Sequence, residues 1–256
     1  MKYLKILLLS PYFVYSLFIS FVGVFTHFVL ATSIMLFFGK KGPFVHRLLA
    51  GYFIRFIFLF HGLRVRFHNA EVIPKSGPLI LAPNHESMLD VASLVSTPGR
   101  PTNFIAKFQV IFFPILGLDS ILGGDFLLKR EDAKSAYATM KKVEKAIVEK
   151  NKCMVVFPEG TRSITGKMGP FKRGSFKLAI ETKSTVIPVY IRNSGKILPK
   201  NQLIIKPGRI DIVFGDPIVL AGRVFEDKLA KRQACDMLSD QVRNSIESMK
   251  AEWDAK

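Results

Sequence analysis

The chain has 256 residues, 49% of them hydrophobic, so it is long enough for one domain with a large core and about sixty further residues. Its formal charge is +17, and every charged residue before Glu71 is a lysine or an arginine. Such a cationic field attracts anionic lipid headgroups, nucleic acid or an acidic carrier protein. The two cysteines, Cys153 and Cys235, lie in unrelated segments, which excludes a disulfide scaffold and predicts no zinc site.

An apolar region is the first element along the chain. Residues 6 to 39 contain no Asp, Glu, Lys or Arg, and the run exceeds the ~20 residues that span a bilayer. A second apolar segment, residues 49 to 60, carries only Arg55. Nucleic-acid binding needs no such run, so we predict that residues 1–66 form a membrane-associated two-helix motif. A cleaved signal peptide fits poorly, because the apolar run is too long.

Basic residues flank the first apolar segment unequally. Lys40, Lys41 and Arg47 on its carboxyl side outweigh Lys2 and Lys5 on the other. If the segment crosses the bilayer, the bulk of the chain is therefore expected on the cytoplasmic side. The sequence leaves open whether the helices span the bilayer or lie in one leaflet.

Residues 67–256 show short β-rich segments that alternate with helix-like ones, which predicts a single α/β domain with a mixed sheet flanked by helices. The predicted strands are residues 79–82, 103–106, 126–129, 153–157, 185–191 and 210–214. The predicted helices are residues 88–95, 132–149, 171–181 and 225–250.

A histidine and an aspartate lie five residues apart in the segment Asn84-His85-Glu86-Ser87-Met88-Leu89-Asp90, where a predicted strand gives way to a helix. A carboxylate that holds one ring nitrogen fixes the histidine tautomer and makes the ring more basic, which suits proton removal from a substrate hydroxyl. The same residues allow an ordinary interpretation, in which Ser87 caps the helix and Asp90 complements its dipole. The residues alone leave both interpretations open.

A second polar segment, Phe157-Pro158-Glu159-Gly160-Thr161-Arg162-Ser163, follows another predicted strand, at the position where α/β sheets place their sites. Lys107 and Arg130 each close a further strand, so three cations are placed to converge on one anion such as a phosphate. Lys167 and Arg173 are expected to be solvated. No nucleophile motif, phosphate-binding Walker motif or paired metal ligands occur, which favours direct transfer without a covalent enzyme intermediate.

The two polar segments together resemble the signatures of the glycerolipid acyltransferases. His85 and Asp90 match the family's His-x-x-x-x-Asp motif, and residues 157–162 look like its second signature. Residues 123–130 are similar to the middle block and residues 186–189 to the last one, all in the family's order. Within the family the chain resembles the bacterial 1-acyl-sn-glycerol-3-phosphate acyltransferases, which also carry an amino-terminal two-helix membrane motif.

The resemblance implies transfer of an acyl group from a thioester to the sn-2 hydroxyl of lysophosphatidic acid, which makes phosphatidic acid. It implies His85 as the base and Asp90 as the group that orients it. It implies no metal or other cofactor, with acyl-CoA or acyl carrier protein as co-substrate, and an anionic membrane as partner at the cytoplasmic face of the inner membrane. The implied substrate-binding residues are Lys107, Arg130, Glu159, Gly160, Thr161 and Arg162. Lys129 departs from the acidic residue that relatives often have there, and its role stays open.

Two alternatives remain. A related acyltransferase would use another lysolipid or glycerol 3-phosphate as the acceptor. A non-enzymatic binder of acidic lipids or RNA would explain the positive charge, but it would leave the two ordered motifs and the charge-free segment without a purpose.

Overall fold

The predicted strands pair in one sheet in the computed structural model, which describes residues 11–112, 114–129, 131–202 and 204–255. The strands are β1 (Leu63–His68), β2 (Leu79–Pro83), β3 (Thr102–Lys107), β4 (Phe126–Leu128), β5 (Cys153–Val155), β6 (Thr185–Arg192) and β7 (Gly208–Phe214). Within the described residues they form one seven-stranded sheet in the order β1-β7-β6-β2-β5-β3-β4. Only β6 and β7 pair antiparallel, so the predicted mixed sheet is confirmed.

Helices cover both faces of this sheet, as predicted. They are α1 (Pro11–Phe38), α2 (Gly42–Phe60), α3 (Met88–Val95), α4 (Pro114–Leu122), α5 (Ala133–Glu149), α6 (Arg173–Thr182), α7 (Ser194–Ile197) and α8 (Lys228–Asp254). Short 3-10 helices lie at Gly39–Lys41, Ala70–Val72 and Phe108–Phe112. The four helices predicted from the sequence correspond to α3, α5, α6 and α8.

Strand β2 is buried on both faces and divides the core into two layers. Leu79 and Leu81 pack in a cluster with residues of α2 and α3, whereas Ile80 and Ala82 pack with α5, α6 and α8. Successive side chains of a strand point to opposite faces, so a strand covered on both sides needs the unbroken apolar run that the sequence shows.

The strands that carry the two polar segments are neighbours in the sheet. Strand β2 pairs with β5, β5 with β3, and β3 with β4, and all of these pairs are parallel. The carboxyl ends of the four strands therefore meet at one edge of the sheet, which is where open α/β sheets bind ligands. This topology brings the segments after residues 83, 107, 128 and 155 to the same edge.

Helices α1 and α2 pack against each other as an antiparallel hairpin. The Tyr15 hydroxyl donates to the Phe60 carbonyl at 3.0 Å, and a Cβ on Gly23 would lie 2.7 Å from Ile57, so glycine permits the close approach. The described apolar region, Val14–Phe60, is long and apolar enough to cross a membrane. Many of its large side chains are exposed, including Leu36, which is 81% exposed.

A buried polar cluster fastens this hairpin to the rest of the chain. Arg47 of α2 binds Asp119 at 3.0 Å and Asp125 at 2.8 Å, and its side chain is 1% exposed. His27 and His46 lie 3.2 and 3.1 Å from one oxygen of Asp119. A buried guanidinium needs such partners, because an unpaired buried charge is costly. The cluster therefore couples the hairpin to α4 and to the turn before β4.

The contact of Arg47 with the turn before β4 explains the glycine at position 123, in the middle block of the sequence. A Cβ on Gly123 would lie 2.0 Å from Arg47 Nη2, so only glycine leaves space for the buried arginine. Ala50 and Phe58 of α2 also belong to the core cluster of the sheet. The second helix is thus part of the packed core as well as part of the apolar hairpin.

Several elements were not predicted from the sequence, namely strand β1, helices α4 and α7 and the three short 3-10 helices. Strand β1 runs from Leu63 to His68, and Arg64 and Arg66 alternate along it with apolar residues, as expected of a strand at the sheet edge. It pairs with β7 along six residues. Helix α4, Pro114–Leu122, contains Pro114 and Gly117, and both residue types are typical of turns and helix ends rather than of helix interiors.

Candidate functional site

The turn after β2 is clamped to the neighbouring strand by an asparagine. The Asn84 side chain accepts a hydrogen bond from Ile191 N at 2.7 Å and donates one to the Ile191 carbonyl at 3.1 Å. Asn84 is 2% exposed. These two bonds replace the sheet pairing that β2 loses as it leaves the sheet, and they fix the backbone directly before His85.

Helix α3 begins with a capping box. The Ser87 hydroxyl accepts from Leu89 N at 3.2 Å, and the Asp90 carboxylate accepts from Ser87 N at 2.8 Å. The same oxygen of Asp90 accepts from Glu86 N, also at 2.8 Å. Ser87 and Asp90 therefore do cap the start of helix α3, as the ordinary interpretation of this segment predicts.

Asp90 also holds the ring of His85. The same carboxylate oxygen, Oδ2, lies 2.8 Å from His85 Nδ1, and the Asp90 side chain has no exposed surface. The ring stacks on Phe157 with 3.9 Å between ring centroids. Because Nδ1 is taken, Nε2 is the nitrogen left for a ligand, and within the described part of the chain it has no hydrogen-bond partner. The helix cap and the oriented histidine are thus one arrangement rather than alternatives.

A buried glutamate ties the second polar segment to the first. Glu159, which is 4% exposed, accepts from His85 N at 2.9 Å and from Gly169 N at 2.8 Å. Ser163 N donates to the His85 carbonyl at 2.7 Å. Both backbone groups of His85 are therefore bound by the loop after β5, so the two motifs form one structural unit.

The rest of this loop is shaped by Gly160. Its φ of +67° is strained for other residues, and a Cβ there would lie 3.0 Å from Lys172 Nζ. Thr161 is exposed and Arg162 half-buried. The Arg162 carbonyl accepts from Lys200 Nζ at 3.2 Å, and the Arg162 guanidinium has no acidic partner among the described residues. An unpaired cation thus lies in the loop that also holds His85.

Lys107 and Lys129 are the other cations of the predicted segments that the structure describes. Lys107 is the last residue of β3, and its exposed side chain lies 3.6 Å from Glu131. Lys129 is exposed and lies over the Phe108 ring at 4.4 Å, so it is not part of a buried charge network. Arg130 lies outside the described residues. Topology places Lys107 beside the site, whereas hydrogen bonds join His85 directly to Asp90 and Glu159.

Burial raises the pKa of Glu86, the residue after the histidine, to about 7, and the nearby Asp90 charge acts in the same direction. Glu86 is therefore partly protonated near neutral pH, which limits the negative charge beside the pair of His85 and Asp90. The charge of Lys250 opposes this shift.

Three contributors were not assigned a role from the sequence. Phe157 supplies the surface on which the His85 ring stacks, Asn84 fixes the turn, and Lys200 binds the Arg162 carbonyl. Phe157 and Asn84 are the first residues of the two polar segments, and this position was the signal that the sequence offered. Lys200 lies 38 residues from Arg162, and no local pattern links the two.

Comparison with known proteins gives consistent results. The model of the Acyltransferase family matches residues 64–192. The chain is 34% identical over 182 residues to the chloroplastic 1-acyl-sn-glycerol-3-phosphate acyltransferase BAT2 of Brassica napus, covering 70% of this chain and 49% of the relative. It is 27% identical over 185 residues to the human 1-acyl-sn-glycerol-3-phosphate acyltransferase beta, covering 72% and 66%. It therefore spans about half to two thirds of these relatives.

A solved structure extends the similarity to the whole fold. The crystal structure of the 1-acyl-sn-glycerophosphate (LPA) acyltransferase PlsC from Thermotoga maritima superposes with a TM-score of 0.74 at 25% identity. The match covers 98% of each chain, so it includes the amino-terminal hairpin as well as the sheet. With the family model matching half of its length, the chain belongs to the Acyltransferase family.

Proposed function

We propose that this protein is a 1-acylglycerol-3-phosphate O-acyltransferase, which transfers an acyl group from a thioester to the sn-2 hydroxyl of lysophosphatidic acid and forms phosphatidic acid. The observation that carries the proposal is the histidine whose Nδ1 is held by a buried carboxylate while Nε2 is left for a ligand. The names of the curated relatives and of the PlsC structure support the choice of acceptor.

In the proposed mechanism, His85 Nε2 accepts the proton of the sn-2 hydroxyl as that oxygen attacks the thioester carbonyl. Asp90 accepts a hydrogen bond from Nδ1–H and stabilises the imidazolium that forms. Backbone N–H groups near the turn after β5 stabilise the oxyanion. The C–S bond then breaks, the thiolate takes the proton from His85, and the ester product leaves.

Direct transfer is favoured because the hydroxyl of Ser87, two residues after His85, is already engaged. Ser87 Oγ donates to the Leu198 carbonyl at 2.8 Å and accepts from Leu89 N, so it has no base that would activate it as a nucleophile. The substrate hydroxyl is then the group that His85 deprotonates.

We assign the acceptor's phosphate to Arg162 and Lys107, with Arg130 as a further candidate. The guanidinium of Arg162 suits a phosphate because its planar fork can donate two parallel hydrogen bonds. The ion pair of Lys107 with Glu131 is exposed and long, so it contributes little and can be exchanged for a phosphate. Glu159, Gly160 and Thr161 would shape the loop around this group.

Replacing Arg162 with Ala is expected to raise the KM for lysophosphatidic acid by roughly 10- to 100-fold, the worth of a charged hydrogen bond, with kcat within a few-fold. The assay uses purified protein in mixed lipid vesicles and varies donor and acceptor independently. Arg173→Ala is the matched control, since Arg173 is an exposed arginine paired with Asp236. An unchanged KM would contradict the assignment of Arg162.

The same assay tests the proposed reaction. Transfer only to another lysolipid or to glycerol 3-phosphate would move the protein to a different acceptor within the family. Transfer to none of these acceptors, from either acyl-CoA or acyl carrier protein, would contradict the proposal.

We propose that residues 1–66 attach the protein to the cytoplasmic face of the inner membrane, while residues 67–256 carry out acyl transfer. The support is the exposed apolar surface of the hairpin together with the purely cationic start of the chain. Both features favour a bilayer that contains anionic lipids. Attachment would let the enzyme reach an acceptor that stays in the bilayer.

The double substitution Phe21→Asp and Phe25→Asp is expected to weaken cosedimentation with anionic vesicles by roughly 100-fold or more, since two phenyl groups would no longer enter the bilayer. Both side chains are exposed, at 70% and 62%, so the fold should persist. Tyr137→Asp on α5, at a position 64% exposed, is the matched control. Unchanged vesicle binding would contradict the proposal. Surface substitutions are preferable to deletion, because α2 contributes to the core.

A further inference from the structure

A cavity of about 370 Å³ borders the site, and Lys200, which binds the Arg162 carbonyl, is one of its lining residues. It opens between the end of β6, helix α7, the loop at residues 163–166 and the end of α8. Its walls include Glu86 and Ser163, which adjoin the site through the backbone of His85. Neither His85 nor Arg162 lines it, so it is a separate compartment at the same edge of the sheet.

The cavity is positively charged. Its cationic residues are Arg192, Lys196, Lys200 and Lys250. Its two acidic residues, Glu86 and Asp254, offset only part of this charge. Asp254 is engaged by Lys250 at 2.8 Å, and the raised pKa of Glu86 keeps that carboxyl partly neutral. The remaining field favours an anion.

One hydrogen-bond donor of a cavity-lining residue is left without an acceptor. Arg192 Nε is buried and makes no hydrogen bond, and its ion pair with Asp254 is long, at 3.5 Å. Buried donors are normally satisfied, so a donor left over on a residue that lines a cationic cavity indicates a missing acceptor group.

We propose that this cavity binds the phosphates at the nucleotide end of acyl-CoA, an inference that rests on the proposed acyl transfer. Its volume lies within the range of about 300–1,000 Å³ typical of small-molecule sites, and it is concave rather than a flat protein-docking surface. Four cations, one of which has a buried Nε without a hydrogen bond, suit a phosphorylated ligand.

The lining of the cavity favours the donor over the acceptor. In lysophosphatidic acid the phosphate is separated from the reacting hydroxyl by only two carbons and one ester oxygen, so it must lie close to His85. In acyl-CoA the phosphates lie at the far end of the long pantetheine arm. None of His85, Asp90, Lys107 and Arg162 lines the cavity, which lies beyond Glu86 and Ser163 and therefore fits phosphates that are farther from the reacting atoms.

The test measures binding of adenosine 3′,5′-bisphosphate to the full chain in detergent by calorimetry. We expect binding to the unaltered protein and about tenfold weaker binding to Lys196→Glu, which reverses one charge on an exposed wall residue. Arg192→Gln should weaken binding similarly by removing a cation of the cavity wall. Lys177→Glu makes the same charge change on an exposed part of α6 away from the cavity, and it should leave binding unchanged.

Steady-state kinetics separate the possible ligands. We expect Lys196→Glu to raise the KM for acyl-CoA about tenfold and to leave kcat and the KM for lysophosphatidic acid unchanged. A rise in the acceptor's KM instead, an effect confined to acyl carrier protein as donor, or no bisphosphate binding would each overturn the proposal. Calorimetry needs no turnover, so bisphosphate binding without any acyl transfer would reject the proposed function while leaving the anion site established.

Discussion

Replacing His85 with Ala is expected to lower kcat for acyl transfer by about 10²- to 10⁴-fold, the usual contribution of a general base. The reason is that Nε2 is the nitrogen left for the substrate hydroxyl, since Nδ1 is held by Asp90. The side chain makes few other contacts that the fold needs, apart from stacking on Phe157. The thermal unfolding midpoint and vesicle binding should therefore change little. The measurement is initial-rate kinetics in mixed vesicles with matched unfolding curves.

A second histidine gives the matched control for this experiment. His68 also contacts a buried carboxylate, Asp211, at 3.0 Å, but it lies on β1 at the edge of the sheet. His68→Gln keeps a hydrogen-bond donor for Asp211 and should leave kcat unchanged. If His85→Ala retained more than about a tenth of the turnover, His85 would not be the base.

Replacing Asp90 with Asn is expected to lower kcat by about 10²-fold or more, because a neutral amide stabilises neither the reactive tautomer nor the imidazolium that forms. The effect on stability should be smaller than for Asp90→Ala. Asparagine keeps one oxygen that can accept from Glu86 N and Ser87 N, both 2.8 Å from the carboxylate. Rates and unfolding curves of the two variants, measured side by side, separate the two roles of Asp90.

A substitution of Ser87 is the control for the helix-capping role of Asp90. Ser87→Ala removes the side-chain bonds to Leu89 N and to the Leu198 carbonyl and should cost about 2 kcal/mol of stability, about half of it for the helix N-cap. The contact between His85 and Asp90 does not depend on the Ser87 hydroxyl, so kcat should stay within a few-fold. Activity in Asp90→Asn equal to that in Ser87→Ala would show that Asp90 serves only the helix.

Much of the fold followed from periodicity and composition. The apolar run at β2 and the helical spacing along α8 are local patterns, and the structure has a strand and a helix at both. Strand β1 was not predicted because its partner β7 lies about 140 residues away, and no local signal indicates which edge segment pairs with it. Pairing of this kind depends on the tertiary arrangement, not on local preference.

In the site, too, some features were predicted from local sequence and others depend on the tertiary arrangement. His85, Asp90 and the segment after β5 were predicted from residue chemistry and motif spacing, since a five-residue separation at a helix start lets the carboxylate turn back to the ring. The bonds from Glu159 and Ser163 to the His85 backbone join segments more than 70 residues apart, and only the packing of β2 against β5 places them together.

The sequence alone determined the apolar start of the chain, the alternation of strands and helices, and the chemistry at residues 84–90 and 157–163, because each depends on neighbours along the chain. Tertiary structure decided which cations are buried in ion-pair networks and which line a cavity. It placed Arg47 in a buried network with Asp119 and left Arg192 at a separate cavity. Charge is a property of the residue, whereas its partners and its solvation are set by elements that are distant in sequence and adjacent only after folding.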